Sequence, residues 1–166
     1  MKQAVTAKKA KSKKKERRSA TVLREATLGA VLEGDAQAVA AWLDEGGSVD
    51  ACCAKRHGLT LLLAAAMAGQ EAMVRMLLQR GANVNLLQNN PEGLTALMNA
   101  AIGGHTRIVQ VLLDAKADAS LQKSNGKTAL MLAAQAKHAA TVQLLLQHAK
   151  QQAAEAEAGA AILTQL

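Results

Sequence analysis

Aromatic side chains are almost absent from this chain: its 166 residues include one tryptophan, Trp42, and neither phenylalanine nor tyrosine. Aromatic and β-branched residues, which favour strands, are scarce, while alanine and leucine, which favour helix, dominate an apolar share of 50%. A sheet-based core is thereby excluded and an all-α fold is expected. Also missing is any apolar run of about 18 residues, the length a membrane span needs. The stretch from Leu61 to Ala68 is among the longest and stops at Gly69, so no membrane partner is expected. The charged start leads into Ser, Lys and Arg where a secretory signal would place an apolar segment, so export is not expected either. The only cysteines, Cys52 and Cys53, are adjacent and cannot staple distant segments. A reducing compartment, cytoplasmic or nuclear, fits best.

The ingredients of catalysis are equally sparse. A zinc site needs four ligands, usually with paired cysteines two to four residues apart, and Cys52, Cys53 and His57 lack a second pair. "SNGKT" at 124–128 resembles the end of a phosphate-cradling loop but lacks the upstream glycine. The histidines at 57, 105, 138 and 148 show no oriented partner for acid–base work. We therefore expect no catalytic residues, no metal and no cofactor, hence a non-enzymatic protein.

What the chain does have is positive charge at one end. Residues 1–24 carry ten Lys or Arg against one Glu, a balance of +9, whereas residues 25–166 hold ten basic and twelve acidic side chains, a balance of −2. The block Lys8, Lys9, Lys11, Lys13, Lys14, Lys15, Arg17 and Arg18 cannot pack against itself, and residues 1–18 are expected to form a disordered arm. Three roles stay open: a nuclear import signal, an electrostatic tether to nucleic acid, and a solvated tail. No aromatic is interleaved to stack on bases, so any nucleic-acid contact would be weak and blind to sequence. The arm also has no acylation site or bulky apolar anchor for a membrane.

The chain also repeats itself. "GLTLLLAAAMAGQEAMVRMLLQRGANVN" (58–85) overlays "GLTALMNAAIGGHTRIVQVLLDAKADAS" (93–120) almost position for position. Thr60, Thr95 and Thr128 are spaced by 35 and 33 residues, each two residues after a glycine (Gly58, Gly93, Gly126). Each Thr hydroxyl is expected to cap a short helix by accepting a hydrogen bond from a first-turn amide. The chain reverses at Gly69–Gln70, Gly104–His105 and Lys137–His138; glycine suits the left-handed residue that closes a helix, and lysine suits it poorly.

A second helix follows in each unit, with Met73, Val74, Leu77 and Leu78, then Ile108, Val109, Leu112 and Leu113, then Val142, Leu145 and Leu146 on one face. Upstream, Gly34, Asp35, Val39, Trp42 and Leu43 fill equivalent places, and a capping first helix is expected to turn Val22, Leu23, Ala26, Ala30 and Val31 inward. Downstream no glycine stops the last helix, which is expected to run to about Gly159. Met67, Met73, Met76, Met98 and Met131 recur at core phases and read as adaptable packing. Helices this short are marginal alone, below about 12 to 15 residues, and stacking on near copies supplies the missing burial.

Gly-x-Thr-x-Leu, then paired alanines (65 with 66, 100 with 101, 133 with 134), then Gly-His, Ile-Val, Leu-Leu, Gly-Ala and Val-Asn is an order that resembles the ankyrin repeat. The resemblance covers roughly residues 20–150. The chain departs from the family at Thr-Pro-Leu-His, which reads "TLLL" at 60–63 and "TALM" at 95–98 and 128–131. The family's proline would fall at Leu61, Ala96 and Ala129, and without it the Thr caps and packing must hold the turns.

The resemblance implies an all-α solenoid of about four helix-turn-helix repeats (19–52, 53–87, 88–120 and 121–150) and an Ala-rich helical extension at 151–166. It also implies a monomeric scaffold or adaptor for a protein partner of unknown identity, gripped by variable turn tips and by the concave side of the first helices. The tips are "CCAKRHG" (52–58), "LLQNNPEG" (86–93) and "LQKSNGK" (121–127), and the concave positions are Ala64, Met67, Ala68, Asn99, Ile102, Gly103, Leu132, Gln135 and Ala136. From these the candidate contacts are Lys55, Arg56, His57, Met67, Leu87, Gln88, Asn89, Asn90, Asn99, Ile102, Lys123, Asn125 and Leu132. Small and apolar with basic flanks, such a surface suits a helix or extended segment with an apolar stripe and acidic flanks. Two other roles remain open: a nucleic-acid-associated adaptor held by its arm, and a fragment or regulatory subunit of a larger signalling enzyme.

Overall fold

The computed structural model describes residues 25–163; the basic arm, Val22, Leu23 and Leu166 lie outside them. Eight helices occur among the described residues, in four antiparallel pairs: α1 (Glu25–Glu33) with α2 (Ala36–Asp44), α3 (Leu61–Met67) with α4 (Glu71–Gln79), α5 (Ala96–Ile102) with α6 (Thr106–Asp114), and α7 (Ala129–Gln135) with α8 (Ala139–Leu163). The first helices stack on one another in the order α1, α3, α5, α7. The second helices α4, α6 and α8 form an outer layer.

The threonines explain where the inner helices begin. Leu63, Met98 and Met131 each donate a backbone N–H to the hydroxyl three residues back, at 3.3 Å to Thr60, 3.2 Å to Thr95 and 3.5 Å to Thr128. In the first unit Asp35 plays the corresponding part for α2, accepting from Ala38 N at 3.0 Å.

Burial follows from stacking. Leu28, Val31, Val39, Leu61, Leu63, Met73, Leu77, Leu97, Met98, Ile108 and Leu112 are fully enclosed in one continuous core. Ala65, Ala66, Ala100 and Ala101 are buried between inner helices, and their small side chains let the backbones approach closely. No described helix is long and apolar enough to cross a membrane.

The expected all-α stack carries one small addition among the described residues: Cys52–Cys53 (β1) pairs antiparallel with Leu59–Thr60 (β2) across a 3-10 turn at Ala54–Arg56. Three expectations need correction. Ala26 is exposed, and Thr27 and Leu28 are buried in its stead, whereas Val31 is enclosed and Ala30 packs on the core as expected. Met67, Met131 and Leu146 are exposed, not core, because Met67 sits at a helix end and no described element stacks beyond the last pair. The last helix passes Gly159 and continues to Leu163.

Candidate protein-binding surface

The concave surface is set by the ends of the inner helices. Ala64, Asn99 and Leu132 occupy equivalent places on α3, α5 and α7, and all three are buried. Asn99 and Leu132, expected as exposed contacts, are therefore floor residues: the close approach allowed by the alanine pairs covers them. Three residues further along, the same helices emerge, and Met67, Ile102 and Gln135 are exposed.

The first two of these ends are held by a side chain from the next unit. His105 donates its Nε2–H to the Met67 carbonyl at 3.3 Å, and His138 donates its Nε2–H to the Ile102 carbonyl at 2.9 Å. Because a carbonyl only accepts, the proton must sit on Nε2. Gln70 makes the same contact to the Leu32 carbonyl at 3.4 Å. The imidazoles pass so close to the preceding turns that a Cβ on Gly69 would lie 2.7 Å from His105 and one on Gly104 2.5 Å from His138. Both glycines also have positive φ, 73° and 68°, so the backbone and the space each require glycine. The two histidines are thus structural and fix the carbonyl ends from which Met67 and Ile102 project.

Between the last two units the surface opens into a cavity of about 410 Å³ lined by Ile102, Lys123, Asn125, Lys127, Leu132, Gln135 and Ala136. Four candidate contacts, Ile102, Lys123, Asn125 and Leu132, come together here, joined by Gln135 and Ala136, expected on the concave surface, and by Lys127 of the tip at 121–127. Lys123 is already neutralised, its Nζ 3.2 Å from Glu92 Oε2. Lys127 instead donates to the uncharged Gln135 Oε1 at 2.6 Å, so its charge stays available to an incoming carboxylate. The Lys127–Gln135 pair joins a turn tip to a helix eight residues on, a relation no helical periodicity reveals.

The remaining candidates divide by what holds them. Asn90 braces its own tip, its Oδ1 accepting from Glu92 N at 3.0 Å and Gly93 N at 2.8 Å. Gln88 ties its tip to the preceding one by donating to the His57 carbonyl at 3.2 Å. Lys55 lies 3.6 Å from Glu25, both side chains being solvent-facing. Arg56, His57, Leu87, Asn89 and Asn125 are exposed on the tips. Cys53 is buried and Cys52 exposed, and among the described residues no three His, Cys, Asp or Glu side chains gather as a metal site would require.

Comparison with known families accords with this geometry. A family model described as "Ankyrin repeats (3 copies)" matches residues 85–156, and one described as "Ankyrin repeat" matches residues 57–90. Together they span 57–156, and the first helix pair lies upstream of both. No curated protein matches the chain.

Proposed function

We propose, from the premise that this chain belongs to the ankyrin repeat family, that it is a non-enzymatic adaptor whose concave surface holds an acidic, apolar-striped segment of a partner protein. Ankyrin repeats are in general protein-interaction modules and typically non-catalytic, which supports the broad part of this reading. The observation that carries the finer part is the cavity between the last two units. Leu132 and Ile102 offer an apolar seat for one aliphatic side chain, and Lys127 offers a cation that, among the described residues, is bonded to a neutral amide and to no carboxylate. A carboxylate beside that aliphatic side chain would complete the charge. Met67, exposed two units earlier along the same surface, extends the apolar stripe.

Peptide display against the full chain tests this. Enriched peptides are expected to carry an aliphatic residue flanked by Asp or Glu, and Ile102→Glu or Lys127→Glu should abolish their capture. Enrichment of basic peptides, or capture indifferent to both substitutions, would refute the reading.

For the basic arm we propose delivery to the nucleus, supported by the Lys-rich block between Lys8 and Arg18. Deleting residues 1–18 should end nuclear enrichment while leaving peptide capture intact. A salt-sensitive loss of nucleic-acid binding on the same deletion would favour the tether instead.

A further inference from the structure

The fourth helix pair presents the surface by which the inner units stack, with no described element covering it. Leu63, Met98 and Met131 occupy equivalent positions on α3, α5 and α7; the first two are 1% exposed and the third is 54%. Leu113 and Leu146 are likewise equivalent on α6 and α8, at 3% and 43%. Ala101 and Ala134 show the same change from buried to exposed. In the inner units these side chains are covered by the next helix pair. A repeat face left to water is ordinarily polar; among the described residues this one is apolar at Met131, Ala134 and Leu146.

The second half of α8 is equally unpartnered. The helix has 25 residues and so spans about 37 Å, yet residues 149–157 are all exposed. Leu146, Lys150, Ala153 and Glu157 follow one another at four, three and four residues and therefore share one face of α8. That face is self-complementary in the antiparallel sense. Laid against a second α8 running the other way, Lys150 of each copy meets Glu157 of the other, small Ala153 lies at the crossing, and the projecting half of each helix reaches over the other copy's open end.

We infer that the open end binds a second copy of this chain. The contact is a two-fold one, in which each copy's projecting α8 takes the place that the helix of a following unit would occupy, covering Met131, Ala134 and Leu146. The reciprocal Lys150–Glu157 pairs fix the antiparallel direction, while burial of the open end supplies the affinity. The concave surface is left free, so self-association and partner capture are separable.

Sedimentation velocity and light scattering of the full chain across the micromolar range provide the test. The mass should rise with concentration towards twice the 17.3 kDa of one chain. Met131→Glu with Leu146→Glu should hold it at one chain with an unchanged helical spectrum, both side chains being already exposed. Lys150→Glu alone and Glu157→Lys alone should each weaken self-association, and mixing the two variants should restore a doubled mass, because each then opposes its complement. Ile102→Glu and Lys127→Glu should leave the doubled mass intact. A chain that stays single at every concentration, a doubled mass that survives Met131→Glu with Leu146→Glu, or two charge variants that fail to pair on mixing would each overturn the inference.

Discussion

The side chain of Asp50 accepts a hydrogen bond from the backbone amide of Asn83 at 2.9 Å, across a sequence separation of 33. One unit later Asn85 does the same for the amide of Asp118, at 2.8 Å and the same separation. Within each turn the ladder continues, Asn83 Oδ1 accepting from Asn85 N at 3.0 Å and Asp118 Oδ1 from Ser120 N at 2.8 Å. The same side-chain-to-amide rung thus joins successive turns at both places, and at the second Asn85 also donates from Nδ2 to the Lys116 carbonyl at 3.5 Å. Asp50→Ala and Asn85→Ala should each lower stability by about 1 kcal/mol, the net worth of one such bond, read as a lower urea midpoint. Asp50→Asn, which keeps the acceptor, should stay near the parent.

Proline belongs at the first residue of the inner helices, and the structure decides where it fits. Thr95 (φ −95°, ψ 167°) and Thr128 (φ −87°, ψ 169°) already hold the extended conformation that a following proline demands. Thr60 does too, but Leu61 after it is fully buried and its loss would leave a void. Ala96→Pro with Ala129→Pro should therefore raise the melting temperature, each contributing about 0.4 to 1 kcal/mol by restricting the unfolded chain. Adding Leu61→Pro should cancel the gain.

Two lysines stand where the other units use glycine. Lys116 has φ 66° and Lys137 φ 62°, whereas the equivalent Gly81 and Gly104 have φ 84° and 68°. A left-handed conformation costs an L residue about 1 to 2 kcal/mol, against which glycine's greater freedom in the unfolded chain offsets about half. Lys116→Gly and Lys137→Gly should each raise the thermal midpoint, and Lys116→Val should lower it.

Acid weakens the turn ladder at its last rung. Asp118 accepts from the Ser120 hydroxyl at 2.6 Å and from the Ser120 amide at 2.8 Å, and these donors hold its pKa below the ordinary 3.8. A carboxylate with a depressed folded-state pKa stabilises the fold above its unfolded-state value and loses that contribution as pH falls through the folded-state value. Ser120→Ala removes the larger cause, so the Asp118 carboxyl should titrate at higher pH by carbon-detected NMR. The stability difference between Ser120→Ala and the parent should be full at neutral pH and shrink in strong acid.

The caps and reversals were legible because they are local: a Thr hydroxyl finds an amide three residues on, and a glycine at 69 or 104 declares its own conformation. The inner face was less so. Ala64, Asn99 and Leu132 read as concave contacts by phase, yet whether they see solvent depends on how closely α3, α5 and α7 approach, which the alanine pairs decide between units. Met131 and Leu146 carry the same pattern as Met98 and Leu113, and what separates core from surface is whether another described helix pair packs on them. The Lys127–Gln135 contact joins a turn to a helix, and no single periodicity spans both.

Asn99 holds an amide nitrogen, Nδ2, that is buried without a recorded partner, in a residue only 8% exposed. An enclosed unpaired donor costs about 1 to 3 kcal/mol. One unit earlier Ala64 fills the equivalent place and is fully buried, so alanine fits the space. Asn99→Ala should therefore raise the urea midpoint, by about 1 kcal/mol after the lost packing is deducted, whereas Leu132→Ala on the cavity floor should lower it by about 2 kcal/mol or more. The same two variants in the peptide-capture assay separate packing from recognition. A more stable Asn99→Ala that captures acidic peptides less well would show that the amide serves the partner at the expense of the fold, and a less stable one would show that water already satisfies the nitrogen and that Asn99 belongs to the framework.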